Sequence, residues 1–239
     1  MNYKVYIQSM NNFPIADWAV SAYMGFREKQ SDIYFFEDIE EVPTSRYNIV
    51  VAFIEDTNKY LERLGIQPKI ALNIPEELMK YAGRQIRFMT MGEFKQDSQI
   101  PVFVKPNRLS KEFVSGVLTK LDNKNFLLND VADDTPVLVS EVVDFISEYR
   151  GYVIDGELKG LKHYNGDFRI FPDVKIIDNA IKDYTTQPAG YSIDFGVTSD
   201  GRTLLIECND GWSLGNYGLS DVTYSTLLSK RWIQMMTTN

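Results

Sequence analysis

The 239-residue chain has one cysteine, one histidine and fewer basic than acidic side chains, and each scarcity removes a class of function. A single cysteine, Cys208, rules out an internal disulfide framework and fits a reducing compartment. It alternates with Glu207 along an apolar stretch, which predicts a core-facing thiol rather than a catalytic one. The lone histidine, His163, leaves no Cys-His or Ser-His constellation for covalent catalysis, and it is expected to pack or hydrogen-bond. With 33 acidic against 25 basic residues the formal charge is -8, which argues against sequence-independent binding of nucleic-acid phosphate. No apolar run approaches the roughly 18 to 20 residues that span a bilayer. Met1 to Ile7 lacks the apolar segment and small-residue cleavage site of a signal peptide, so a soluble cytoplasmic protein is the expectation. There is no internal repeat and no low-complexity tract.

What the chain does have is a pair of apolar strands that each carry an acid. Ile193-Asp194-Phe195-Gly196-Val197 and Leu204-Leu205-Ile206-Glu207-Cys208-Asn209 flank Ser199-Asp200-Gly201-Arg202, the pattern of a β-hairpin with an Asp-Gly turn. A carboxylate among apolar neighbours needs a paired cation or a metal, because desolvating it alone costs several kcal/mol. Asp194, Glu207 and Asn209 offer oxygen ligands only, a set that suits Mg²⁺ better than zinc, and Mg²⁺ usually arrives with phosphates. Glu207 and Asn209 are two apart, so in a strand they share a face. An ordinary hairpin with Glu207 paired to a lysine or arginine fits the same residues.

The length suffices to bury about 70 to 75 % of the unfolded surface, in one or two domains. Tyr3 to Gln8 alternates as a strand, Pro14 to Phe26 places Ile15, Trp18, Ala19, Ala22 and Tyr23 on one helical face, and Asp32–Phe36 and Asn48–Ile54 read as strands. The apolar continuity of the last is the mark of a sheet covered on both faces. Asp56 to Leu64 predicts a helix, and Pro75 starts another that stops at Gly83. This alternation describes a small α/β unit over residues 1–83. From Arg84 strands dominate: 84–91, 102–105, 137–143, 146–154, 158–164, 191–197 and 203–209, with a closing helix over 222–236. The second part, 84–239, therefore reads as α+β, and the two parts are expected to share an interface.

Several charged residues in that second part stand where chemistry could use them. Lys105 ends an apolar strand just before Pro106, which stops the strand and fixes the direction of the ammonium. Ile146, Glu148, Arg150 and Tyr152 fall on one face by period two, and Asp155-Gly156-Glu157 turns the chain so that Lys162 returns near Arg150. A salt-bridged sheet surface fits these too. Asp210 to Gly218 is rich in glycine and runs straight off the strand of Glu207 and Asn209. A loop fixed there is where an acceptor substrate would be held, with Ser213 and Tyr217 as hydrogen-bonding candidates; Trp212 and Tyr217 could equally pin the last helix.

Lys105, Glu141, Asp194, Glu207 and Asn209 come in the order and approximate spacing of an ATP-grasp domain. The sequence resembles that superfamily, and within it the small bacterial and phage-type proteins with an Arg and a Lys on the central strands of the grasp domain. The resemblance covers about residues 84 to 235 and is most specific from Asp194 to Gly218. It implies an α+β ATP-grasp fold preceded by a Rossmann-like α/β domain, with ATP and Mg²⁺ as cofactors. It implies Mg²⁺ on Asp194, Glu207 and Asn209, and Lys105 on the nucleotide's phosphates. Adenine would meet the backbone of Glu141, Val142 and Val143, and a ribose hydroxyl would meet Asp144. An earlier Lys or Arg also reaches the phosphates; Lys80, Arg84 and Arg87 all stand in that neighbourhood, and Arg87 is carried as the candidate. In place of a glycine-rich flap the chain has 107–113, where Arg108, Ser110 and Lys111 could contact phosphate by side chain.

The activity the resemblance implies is ATP-dependent carboxylate-amine (or thiol) ligation through an acyl-phosphate. Arg150 would steady that intermediate and Lys162 would neutralise phosphate oxygens. The partners would be ATP with a carboxylate and an amine from an amino acid, peptide or small metabolite, without bulk nucleic acid or membrane; a homo-oligomer is left open. A catalytically inactive nucleotide-binding module is the alternative, and a non-nucleotide α/β protein with a salt-bridged sheet is a third.

Overall fold

The computed structural model describes residues 3–67, 72–97, 99–107, 113–120, 128 and 130–237. Its first sheet is built from β1 (Lys4–Met10), β3 (Asp32–Phe36) and β4 (Asn48–Val51), with a short β2 (Phe13–Pro14), α1 (Asp17–Glu28) and α2 (Ile54–Arg63) between and after them. β1 is central and parallel to both neighbours: Ile7 lies opposite Phe35 on one side and Val51 on the other. All four residues of β4 are buried, as an uninterrupted apolar strand covered on both faces requires. It stops earlier than the sequence pattern suggests because the chain enters α2 at Ile54, with Glu55 and Asp56 favourably placed in the first helical turn.

Beyond a 3-10 turn at Glu76–Leu78, α3 (Met79–Ala82) ends on Gly83, whose φ of 59° is the left-handed conformation that closes a helix. A second sheet follows from β5 (Ile86–Thr90), β6 (Val102–Pro106), β7 (Gly116–Leu118) and β8 (Pro136–Ser140), antiparallel in the order β5-β8-β6-β7. Between β5 and β6 lies α4 (Met91–Gln96), started by a capping box in which Thr90 and Glu93 satisfy each other's backbone amides.

The third sheet consists of β9 (Phe145–Ile154), β10 (Glu157–Gly166), β11 (Gly190–Thr198) and β12 (Thr203–Asp210), antiparallel in the order β10-β9-β11-β12. α5 (Val174–Asp183) covers its back, capped by the Asp173 carboxylate, and α6 (Asp221–Thr237) ends the described chain. Neither α4 nor α5 is expected from the strand-dominated reading of this half. The α5 face is nonetheless written in Ile177, Ala180 and Ile181, all buried at helical spacing.

Two faces of the third sheet have different fates, and this positions the site. Along β11 the odd residues Tyr191, Ile193 and Phe195 pack with Ile177, Ala180 and Ile181 of α5. The even residues, Ser192, Asp194 and Gly196, point the other way. On that second face Tyr152 and Ile154 of β9 merge with the core of the first sheet, together with Trp212, Leu219, Tyr224 and Trp232. α6 thus completes the amino-terminal core from the far end of the chain. Among the described residues no helix is long and apolar enough to cross a membrane.

Candidate active site

One rung crosses the whole third sheet: Lys162 faces Arg150, Arg150 faces Asp194, and Asp194 faces Glu207. Directly opposed residues of antiparallel strands project to the same side, so four charges separated by up to 57 positions in sequence form one row. Arg150 donates from Nε to Asp194 Oδ1 at 2.9 Å and from Nη2 to Asp194 Oδ2 at 2.6 Å. The Tyr217 ring lies over the guanidinium at 4.7 Å, with the Tyr164 ring at 5.9 Å and the two tyrosines stacked on each other. Tyr217 takes φ 41°, a strained value for a non-glycine residue, in bringing its ring to this place. At the row's end, Lys105 Nζ donates to Glu207 Oε2 at 2.6 Å and Asn209 Nδ2 to Glu207 Oε1 at 3.0 Å.

The electrostatics follow from burial and partners. Burial pushes the Asp194 carboxyl up to about 6, against the pull of Arg150, so the carboxylate is ionised at pH 7. Burial also opposes the charge on Arg150, but the Asp194 hydrogen bonds outweigh it and hold the guanidinium above its ordinary range. For Glu207, burial is likewise overcome, chiefly by Lys105, and the carboxyl lies below its ordinary value. Burial raises the Cys208 thiol well above its usual range, in keeping with its expected core-facing position.

Between the second and third sheets lies a cavity of about 260 Å³. Phe103, Leu138, Val142, Val143, Phe145 and Ile206 make its apolar walls, and Lys105, Glu207, Arg84 and Glu148 supply charge. Gly196 leaves room for Phe145, since a Cβ there would fall 2.1 Å from the ring. Lys105 comes from β6 and Glu207 from β12, so their ion pair bridges the two sheets.

The structure brings many of the anticipated residues together. Lys105, Glu141, Val142, Val143 and Glu207 all line the cavity. Asn209 bonds Glu207, Lys162 is level with Arg150, and Tyr217 sits on Arg150. The side chain of Glu141 is turned to the backbone N–H of Gln85 at 2.8 Å, leaving its main chain at the wall. Lys162 is half-buried and has no ion pair among the described residues.

Other expectations need correction. Arg87 is spent on Asp97 at 2.7 Å and does not line the cavity; Arg84 does, held by the carbonyls of Ala82, Leu205 and Ile206. Lys80 pairs with Asp183. Asp144 is not part of the cavity wall. Ser213 donates to the carbonyl of Ala52 at 3.2 Å and lines a separate small pocket with Trp18 and Trp212. Asp194 is sealed at 2 % exposure with both oxygens on Arg150, whereas Glu207, although Lys105 and Asn209 engage its two oxygens, is 27 % exposed and lines the cavity. Lys111, Arg108 and Ser110 lie outside the described residues. Phe145 and Glu148 line the cavity without being expected there, and Asn73 joins this region, its carbonyl accepting from Cys208 N–H and its side chain bonding Asn107. No local signal marks Asn73.

The donor chemistry fits a hard divalent cation at Glu207, which lines the cavity with its side chain 27 % exposed, and at Asn209, which is bonded to Glu207 through Nδ2 and carries a carbonyl oxygen of the same hard class. No group of three or more His, Cys, Asp and Glu poised for a metal exists among the described residues, so phosphate oxygens and water would complete the shell.

Among curated protein sequences none matches this chain. Solved structures similar to this one include D-alanine–D-alanine ligase from Bacillus anthracis, at 15 % identity and TM-score 0.58 over 99 % of this chain and 97 % of that one. D-cycloserine synthetase DcsG has 11 % identity and TM-score 0.67 over 96 % and 99 %. The ATP-grasp ligase PsnB, solved with a minimal precursor, Mg and ADP, has 14 % identity and TM-score 0.52 over 97 % and 99 %. At these identities the likeness is one of fold. A family model described as an ATP-grasp domain, the second family of its clade, matches residues 81–227. The chain belongs to the ATP-grasp superfamily of ATP-dependent ligases.

Proposed function

We propose that the cavity binds ATP with Mg²⁺ and that the protein joins a carboxylate to an amine (or thiol) through an acyl-phosphate. The observation that carries this reading is the meeting of Lys105 with Glu207 and Asn209 at one end of a cavity whose other wall is the link at Glu141–Val143. Apolar side chains suit the adenine faces, and the backbone of Val142 and Val143 makes no hydrogen bond among the described residues, leaving it for the base edge. Glu148 is the ribose candidate at the cavity wall in place of Asp144.

Glu207 and Asn209 would hold the metal, which supplies charge neutralisation to the β- and γ-phosphates when bound. Lys105 would leave Glu207 and turn to phosphate oxygens, with Lys162 adding charge from across the row. Arg150, locked by Asp194, would hold the carboxylate and then the acyl-phosphate in line for attack. Tyr217 would cover that group and exclude water. The names of the D-alanine–D-alanine and D-cycloserine enzymes support an amino acid or a molecule of that size as substrate. We further propose that the division at residue 83 separates functions rather than folding units, because α6 and Trp212 contribute to the amino-terminal core.

Isothermal titration with Mg-ATP, followed by ADP release with mixed amino acids, tests the reading. Binding with acceptor-dependent ADP release is expected. Absence of Mg-ATP binding defeats it, and binding without turnover under any acceptor favours a nucleotide-binding module.

A further inference from the structure

Asp194 occupies the position of a metal ligand in the sequence, yet its surroundings are those of an arginine holder. Its side chain is 2 % exposed and bonded twice to Arg150, whereas Glu207 on the next strand is 27 % exposed and opens on the cavity. Mg²⁺ demands near-octahedral geometry and keeps several waters, for which a sealed carboxylate has no room. Releasing Asp194 to a cation would also strip Arg150 of its three hydrogen bonds to that carboxylate and leave a buried guanidinium beside a dication. Arg150 Nη2 is only 3.9 Å from Glu207 Oε1, so the repulsion would be close.

The Asp194 bonds take the Nε and Nη2 side of the guanidinium, and Tyr217 covers its face at 4.7 Å. The Nη1 edge makes no bond among the described residues. A planar fork held this way is a directed cation with little freedom left to lose. Lys105 and Arg84 line the cavity together with Glu207, and Lys162 faces Arg150 from the next strand.

Resting on the Mg-ATP reading above, we infer that the cavity takes a single divalent cation, held by Glu207 and Asn209, and that Asp194 is a positioning residue for Arg150. Arg150 then supplies, as a fixed charge at the middle of the row, the neutralisation that a second metal ion would provide.

The test is a titration of the full chain with Mn²⁺ and the non-hydrolysable analogue AMPPNP, followed by electron paramagnetic resonance. One Mn²⁺ per bound nucleotide with a mononuclear spectrum is expected. Two Mn²⁺ per chain with an exchange-coupled spectrum overturn the inference while leaving the nucleotide reading intact; failure to bind Mn-AMPPNP at all removes both. Asp194→Asn should keep Mn²⁺ but weaken AMPPNP about tenfold, as Arg150→Met does, and the double variant should be no weaker than either single one. Glu207→Gln should lose Mn²⁺ affinity by about tenfold or more. An Asp194→Asn protein that loses Mn²⁺ as Glu207→Gln does overturns the assignment. Should Asp194→Asn fail to fold, the metal count in the unaltered protein decides alone.

Discussion

Two buried arginine-aspartate pairs in this protein share nearly the same geometry and have opposite surroundings. Arg231 of α6 donates from Nε and Nη2 to Asp210 at 2.5 and 2.6 Å, and Arg150 of β9 makes the equivalent two bonds to Asp194. Around the first pair, Gln234 takes Arg231 Nη1 and in turn accepts from the backbone of Ala189, so every edge of the guanidinium is anchored between the end of β12 and α6. Around the second, an aromatic ring and a further carboxylate at 3.9 Å stand where the anchoring would be. The first pair ties the last helix to the sheet; the second leaves the Nη1 edge of its guanidinium without a bond among the described residues. Pair geometry is nearly the same in the two, and the surroundings of the guanidinium are what differ; on the proposal above, that difference separates a structural pair from a functional one.

The comparison is broken or sharpened by substitutions of graded effect. Asp210→Ala leaves Arg231 unpaired in the core and should cost about 3 to 5 kcal/mol of stability, read as a lower denaturant midpoint. Glu207→Gln should reduce ATP turnover by about 10²- to 10³-fold, about 2.7 to 4 kcal/mol, with the melting temperature nearly unchanged. Full ATP-dependent activity in that variant would remove Glu207 from the metal site. Asp194→Ala should cost only about 1 to 3 kcal/mol of stability, because Glu207, 3.9 Å from Arg150, can partly satisfy it. An Asp194→Ala loss equal to that of Asp210→Ala would erase the proposed difference between the pairs. Tyr217→Leu removes a ring that is half exposed, so about 0.5 to 1 kcal/mol of nucleotide or substrate affinity is expected to go with it, measured by titration calorimetry. Cys208 is on β12 next to Glu207 but is 1 % exposed with its thiol held protonated, so the folded protein should not react with a thiol reagent such as DTNB until denaturant is added.

Much of the fold can be read along the chain because its strands are written in period-two patterns with unambiguous turns. Gly201 at φ 83° and the Asp155–Gly156 pair, both at positive φ, terminate the hairpins at the positions their residue types demand. α5 was hidden because Val174, Ile176 and Ile177 favour strands intrinsically; burial of one helical face against β11 overrides that preference. The site is legible to a similar depth. Lys105 and Glu207, named from their positions in the sequence, meet at the cavity, whereas the presence of Arg84 rather than Arg87 in its wall depends on Asp97, ten residues further on, pairing with Arg87.

Alternation, turn chemistry and the cost of placing a carboxylate in an apolar strand are local matters, and from them the chain's own letters declare two hairpins, two strand carboxylates in need of a cation and an α/β beginning. Partnership is a matter of distance in space. Arg150 and Asp194 are 44 positions apart, and Lys105 and Glu207 are 102 apart. Only the alignment of four strands and the stacking of one sheet on another determines that Asp194 faces a guanidinium while Glu207 faces a cavity, because a buried charge is stabilised by whatever the fold brings within a few ångströms of it.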